Sequence, residues 1–228
     1  VITQGHWGGA QQYVQTLAEK LSDDFTIHVA IGSDPTDNDL ARRLPITTTV
    51  HRLHQLRRSI SPIHDAKAVR ELRKLYKHIA PKIIHLNSTK AGILGGLAAQ
   101  KLTNTAVVYT VHGWVFNEPL PHIKKLLYKA IEQHTSKHKD IIITLSPQDS
   151  HIGKQLVKNH TTIKEIPTGL GPTTLVAKKD AQAVLEKSIN KNIDTGKHWF
   201  GTIANLYKTK GYDVYLQAIV NMEKRNDC

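Results

Sequence analysis

Short apolar runs alternate with amphipathic helical stretches along most of this chain, at a spacing of about 30 residues. No other feature constrains the fold as strongly. Consecutive parallel strands need a crossover, and helical crossovers cover both faces of the sheet. Val1-Ile2-Thr3 reads as the end of a strand. Ala10, Val14, Leu17, Ala18 and Leu21 then form a helical stripe. Thr26 to Ile31 is a buried strand, and Thr47 to Leu53 is a weaker, alternating one. Asp65 is placed to cap a helix carrying Ala66, Val69, Leu72, Leu75, Tyr76 and Ile79, which Pro81 stops. Lys82 to Leu86 is the next strand, and Asn87-Ser88-Thr89 supplies the cap for a small-residue helix from Lys90 to Leu102. A β-branched strand from Thr105 to Thr110 precedes a long basic helix from Leu120 to Lys137. Asp140 to Leu145 is a nearly unbroken apolar strand, and Ser146-Pro147 opens another helix. A short strand from Thr162 to Ile166 ends at Pro167-Thr168-Gly169.

This pattern predicts an α/β fold, a doubly wound parallel sheet, over residues 1–170. Residues 171–228 read differently. Gly171-Pro172 and Lys178-Lys179 look like a connection, followed by a helix from Ala181 to Ile189 and a strand from Trp199 to Ala204. A helix from Tyr212 to Met222 places Val214, Tyr215, Ala218, Ile219 and Met222 on one side. One good strand cannot bury a core of its own. This stretch is expected to be the truncated start of a second Rossmann-like domain. The chain opens inside an apolar run and its one methionine is Met222, so a native start is expected upstream. The one cysteine is Cys228, so no internal disulfide can form, which fits a cytoplasmic setting.

The formal net charge is +12 and is unevenly spread. Residues 1–50 carry 3 basic and 6 acidic side chains, whereas residues 51–100 carry 10 and 2. Such an excess favours anionic partners, although on charge alone a solvated helix face on a basic protein is the preferred reading. Nucleic-acid binding would call for aromatics interleaved with the charges. Residues 51–100 hold only Tyr76 among Phe, Trp and Tyr, which argues against it.

Two junctions carry the chemistry. Gly8-Gly9-Ala10 and Thr110-Val111-His112-Gly113 each sit where a strand gives way to a helix. In open α/β sheets the loops at the carboxyl ends of strands form the ligand crevice. Glycines there let backbone approach a phosphate or a hydroxyl, and the following helix offers free N–H groups. A tight turn that needs glycine for its dihedral angles is the competing reading. Asn87, Ser88 and Lys90 lie at a third junction on the same edge, open to contact with acceptor or phosphate, with Ser88 also readable as a plain helix cap. Trp114 and Phe116 fit either a pocket wall or the core. Gly5-His6-Trp7-Gly8-Gly9 lacks the G-x-G-x-x-G spacing, and no acidic residue ends the second strand, so a nicotinamide site is not indicated.

Five segments in register resemble the family 4 glycosyltransferases. They are Gly5 to Gln11, His85 to Gly92, Val108 to Gly113, Ile166-Pro167-Thr168-Gly169, and Gly201 to Leu206 continuing through Lys210-Gly211. The resemblance implies the GT-B type of architecture, two Rossmann-like domains facing across a cleft. It implies transfer of a sugar from a nucleotide sugar to an acceptor hydroxyl with retention of configuration, with no cofactor and no required metal. It places His112 beside the donor sugar and Lys210 at the donor diphosphate, where a fixed cation stabilises the leaving group. The competing readings are a packed histidine at a strand end and a solvated lysine in a turn.

Asn205 departs from the pattern, since many relatives carry arginine five residues before the lysine. An asparagine supplies a hydrogen bond but no charge. The family's paired glutamates, further along the donor-binding domain, have no counterpart before Cys228, so the isolated chain is expected to show little transfer activity. Lipid-linked or glycan acceptors are implied, in cell-envelope glycan or glycolipid synthesis. So is a peripheral location at the inner face of a membrane, with an anionic surface reached through Arg52, Arg57 and Arg58. A sugar-nucleotide epimerase of the same architecture and a non-enzymatic polyanion-binding domain are the alternatives. The epimerase would need a carboxylate pair in the cleft, and no convincing pair is visible.

Overall fold

A computed structural model describes residues 1–32, 39–158, 160–169, 174–192, 194, 196, 200–204 and 206–224. The chain divides into two compact units, Val1–Thr168 and Gly169–Cys228. In the first, the strands are β1 (His28–Gly32), β2 (Thr49–Leu53), β3 (Ile83–Asn87), β4 (Ala106–Val111), β5 (Ile141–Thr144) and β6 (Thr162–Glu165). The helices are α1 (Gly9–Lys20), α2 (Asp39–Arg43), α3 (Pro62–Ile79), α4 (Thr89–Ala99), α5 (His122–Ser136) and α6 (Pro147–Leu156).

All the strand pairs are parallel: β1 with β2, and β3-β4-β5-β6 in sequence. Ile2 joins the two groups by bridging to Ile31 on one side and Asn87 on the other. Its N–H donates to Ala30 O at 2.9 Å, and Gly32 N–H donates to Ile2 O at 3.0 Å. The order across the sheet is therefore β2, β1, the Ile2 segment, β3, β4, β5, β6. The chain winds outward from Ile2 to β2 and then recrosses to β3. That reversal opens a crevice at the carboxyl ends of the Ile2 segment and β3. The doubly wound parallel sheet expected from the alternation of strands and helices is the fold the chain adopts.

The core has two parts. Leu72, Tyr76, Ile84, Leu86, Val107, Tyr109, Val111 and Ile142 belong to the larger cluster. Ile2, Val14, Val29, Ile31 and Leu40 form a smaller one beneath α1 and α2. Within the larger, α4 packs between α3 and α5. Its small residues also permit close packing on the sheet, since a Cβ on Gly92 would lie 2.7 Å from Cε2 of Tyr109 on β4. Beneath α5 lies a buried ion pair, with Lys139 Nζ 3.1 Å from Glu132 Oε2 and both side chains almost fully buried. A cavity of about 730 Å³ lies between β1 and β3 on the amino side of Ile2, walled by Val14, Leu17, Ala30, Leu75, Tyr76 and Ile84.

Several boundaries differ from the sequence reading. The α3 helix starts at Pro62, ahead of Asp65, because proline is tolerated at a first helical position. Asp65 instead accepts from Ser61 N–H at 3.2 Å from inside the first turn. The α2 helix was not expected: five residues carry no stripe, and the fully buried Leu40 anchors it. Trp114 and Phe116 belong to the core rather than to a pocket wall. They stack with centroids 5.5 Å apart, and Trp114 Nε1–H donates to Asp149 O at 3.0 Å.

The second unit holds α7 (Lys178–Ile189) and α8 (Tyr212–Lys224). The α7 helix takes in Lys178-Lys179, read above as connection, with Asp180 in its first turn favouring the helix start. Trp199 lies outside the described residues, and residues 200–204 form no strand, there being no described strand in this unit to pair with. Tyr212 OH donates to Ala204 O at 2.7 Å, tying this segment to the start of α8.

Candidate functional site

Gly8 is the N-cap of α1 and places no side chain over the helix start, so no side-chain oxygen caps it. Its φ of −175° is extended backbone open to any residue. A Cβ on Gly9 would have nothing within 4 Å. Gly9 is thus neither strained nor crowded, whereas a Cβ on Gly8 would lie 3.2 Å from Gln11 Oε1, the far end of a flexible side chain. The loop before it is held from the side. Leu40 N–H donates to Gly5 O at 2.9 Å, and the Arg43 guanidinium lies 4.3 Å above the Trp7 ring.

Facing this loop across the reversal point, Ser88 caps α4, and its Oγ accepts from Ala91 N–H at 3.2 Å. The same hydroxyl is 2.7 Å from Thr3 Oγ1. Ser88 achieves this at φ +142°, a region that L residues rarely enter. Strained backbone of this kind costs about 1–3 kcal/mol and persists where surrounding structure imposes it.

His112 follows β4 and is half-buried. Its Nε2–H donates to Oδ1 of the buried Asn87 at 3.3 Å. Burial pushes the imidazole down to about 4, so the ring is neutral near pH 7. A neutral ring with its proton on Nε2 carries a lone pair on Nδ1, ready to accept from a hydroxyl. Gly113 follows at φ +105°, a value that frees the chain to turn sharply after the histidine.

Three further side chains complete the cluster, and the sequence reading assigned none of them a role. Tyr13 of α1 stands edge-on to His112, with centroids 5.2 Å apart, and to His85 at 6.1 Å. His85 Nε2 is 2.7 Å from Thr110 Oγ1, and Tyr13 OH lies 3.4 Å from the same oxygen. Burial pushes His85 down to about 4 as well. The available signal was that both His85 and Thr110 lie inside the motif segments singled out. Tyr13 carried no signal beyond its place in the first turns of α1.

The remaining predicted residues are placed otherwise. Lys90 turns away, its Nζ 2.6 Å from Asp65 Oδ1 and hydrogen-bonded to Ser59 O. Lys210 and Gly211 lie in the second unit. Lys208–Lys210 form a single 3-10 turn, which Gly211 ends at φ +64°, and Lys210 is exposed. Asn205 lies outside the described residues. The crevice of the first unit thus gathers Gly8, Gly9, Asn87, Ser88, His112 and Gly113. Its resources are an uncapped helix start, the Ser88 hydroxyl, the Asn87 amide and a neutral imidazole, which suit a polar, hydroxyl-rich ligand carrying negative charge.

The sequence model of Glycosyltransferase Family 4 matches residues 7–172. The chain belongs to this family. It is 38% identical over 114 residues to the UDP-Gal:alpha-D-GlcNAc-diphosphoundecaprenol alpha-1,3-galactosyltransferase of Escherichia coli, a match covering 50% of this chain and 30% of that protein. It is 31% identical over 96 residues to the putative glycosyltransferase EpsD of Bacillus subtilis (strain 168), covering 41% and 25%.

Among solved structures, Anabaena Alr3699/HepE in complex with UDP and glucose superposes with a TM-score of 0.58 at 16% identity, over 83% of this chain and 49% of that one. Sucrose-phosphate synthase from Thermosynechococcus elongatus gives 0.58 at 21% identity, over 80% and 49%. These likenesses show the fold. The superposed region is about half the length of those two neighbours, and the matched region is under a third of the two sequence relatives.

Proposed function

We propose that the protein transfers a sugar, with retention of configuration, from a nucleotide-sugar donor to an acceptor hydroxyl in cell-envelope glycan or glycolipid synthesis. The observation that carries this reading is the convergence of Gly8-Gly9, Ser88 and His112 on one crevice in a chain of Glycosyltransferase Family 4. The names of the relatives support UDP-galactose as the first donor to try and a sugar on a lipid diphosphate as the first acceptor class.

In this mechanism the acceptor hydroxyl attacks the anomeric carbon while the bond to the diphosphate breaks, and the hydroxyl proton passes to the departing diphosphate oxygen. The uncapped N-terminus of α1 stabilises negative charge at Gly8-Gly9. Nδ1 of His112 accepts a hydrogen bond from a sugar hydroxyl, with Asn87 fixing the tautomer. Lys210 contributes a cation to the departing diphosphate, a stabilisation that grows as the bond breaks. No metal or cofactor enters. Arg57 and Arg58 are exposed, and with Arg52 they add basic charge toward an anionic membrane surface at the cytoplasmic face. No helix among the described residues is long and apolar enough to cross a membrane.

Because the chain alone is expected to transfer little, the test joins it to a complete donor-binding domain of the family and follows nucleoside diphosphate release from a panel of nucleotide sugars with lipid-diphosphate sugar acceptors. Release with one donor, abolished in His112→Ala, supports the reading. Folded protein that neither releases diphosphate nor binds any donor rejects it in favour of a polyanion-binding domain. Interconversion of the nucleotide sugar without transfer would assign an epimerase.

A further inference from the structure

The α5 helix is amphipathic in the wrong sense for a helix that builds a core. Ile123, Leu126, Leu127 and Ala130 recur at intervals of three and four, so they share one face. That face is exposed: Ile123 to 80%, Leu126 to 55% and Leu127 to 56%. The face turned inward carries buried Glu132, Thr135 and Ser136, with Tyr128 its apolar contact to the larger core cluster. At 100° per residue, Lys124 and Lys129 fall on either flank of the apolar stripe, and both are exposed. The one acidic side chain of α5, Glu132, is buried against Lys139, and the nearest exposed carboxylates in sequence are Glu118 and Asp140, each four residues beyond an end of the helix.

We infer that this face of α5 is a membrane-docking element that inserts its apolar stripe into an anionic lipid leaflet. A helix lying in the interfacial plane presents apolar residues downward and lysines at the sides, where their stems reach up to the headgroups. The charge decides between occupants. A protein partner needs no lysines on both flanks of an apolar stripe, whereas an anionic surface attracts each of them.

The layer around α5 agrees. The α3, α4 and α5 helices lie side by side, and each follows a parallel strand, so their first turns share the carboxyl edge of the sheet. At that end α3 carries exposed Ile63, with exposed Ile60, Arg57 and Arg58 just before it and Lys67 after. The same edge holds His112. Docking on this side brings a lipid-linked acceptor to the crevice. In that last respect the inference rests on the transfer reading, whereas the docking itself does not.

The experiment is co-sedimentation of the full chain with vesicles of mixed phosphatidylglycerol and phosphatidylcholine, and with phosphatidylcholine alone. We expect binding to the anionic vesicles, weakened by salt. Leu126→Gln/Leu127→Gln should weaken it by about tenfold or more, since two inserting side chains are lost. Lys124→Gln/Lys129→Gln should weaken it at low salt, with circular dichroism unchanged in both variants. Binding that shows no preference for anionic lipid overturns the inference. So does binding that survives the leucine changes and disappears in Arg57→Gln/Arg58→Gln. A dimer lost in the leucine variant, with no vesicle binding, would assign the stripe to a second copy. Diphosphate release with a water-soluble acceptor is read separately. Vesicle binding upholds the docking element whether or not diphosphate is released, since the isolated chain is expected to transfer little.

Discussion

Thr3 and Ser88 are 85 residues apart in sequence, and their hydroxyls meet at 2.7 Å across the point where the strand order reverses. Ser88 holds this contact at φ +142° while also capping α4. One side chain therefore closes a helix end and joins the two halves of the sheet. Removing the hydroxyl and relieving the backbone are separable. Ser88→Ala loses the cap and keeps the strain, and should destabilise by about 1–2 kcal/mol. Ser88→Gly loses the same hydroxyl but frees the dihedral angle, and should cost less. Urea unfolding of both variants checks the order. An equal cost in both would mean that the backbone at Ser88 carries no strain.

The two histidines of the crevice make stability depend on pH. Burial lowers both His85 and His112 to about 4. In the unfolded chain each takes up a proton below about 6.5. Between those values the unfolded state binds more protons, so stability falls as pH drops from about 6.5 toward 4 and is fully present above. Each unit of separation contributes about 1.4 kcal/mol. Denaturant midpoints measured through this window should decline in the parent and decline less in His112→Gln. A flat parent profile would contradict the buried, neutral state of both rings.

The two glycine sites call for opposite outcomes. Gly9 has open space where a Cβ would be, and it lies in the first turn of α1. Gly9→Ala should leave stability unchanged or raise it by up to about 1 kcal/mol. If the crevice binds substrate at this backbone, the same change should raise KM for donor or acceptor. Gly113 stands at φ +105°, and Gly113→Ala should cost about 1–3 kcal/mol whatever the ligand. Thermal unfolding and initial-rate kinetics on the two variants separate a ligand-facing glycine from a conformational one.

Much of this fold was legible in the sequence because strands buried on both faces read as apolar runs, as Ile141-Ile142-Ile143 does. The α2 helix was not legible, since Leu40 alone anchors it and one residue makes no period. The described part of the strand expected at residues 199–204, residues 200–204, is not a strand for the complementary reason: local β propensity does not make a strand without a partner. The site divides in the same way. His112 and Ser88 stand at strand–helix junctions, which the pattern locates. Their partners are set by the strand order, so the contacts of Tyr13 and Thr110, 97 residues apart, had no local signature. Lys90 shows the limit of reasoning by junction, because its ammonium is committed to Asp65 on a neighbouring helix.

Lys139 and Glu132 form a buried pair that no periodicity predicts, and its energetics are testable. Glu132 accepts from Tyr109 OH at 3.1 Å as well as from Lys139, and the Lys139 ammonium lies 4.4 Å above the Tyr109 ring. Burial lowers the lysine from its usual range, against the pull of Glu132. Lys139→Met leaves a buried carboxylate without its cation and should destabilise by about 3–5 kcal/mol. The double variant Lys139→Met/Glu132→Gln removes both charges, keeps an acceptor for Tyr109, and should recover a large part of that loss. Chemical denaturation of the parent, both single variants and the double variant gives the coupling. If the double variant is as unstable as the sum of the singles, the two charges do not act as a pair. Recovery would show that the cost of Lys139→Met comes from the stranded charge rather than from lost packing, and that α5 is held to the sheet by a satisfied polar network on its inward face.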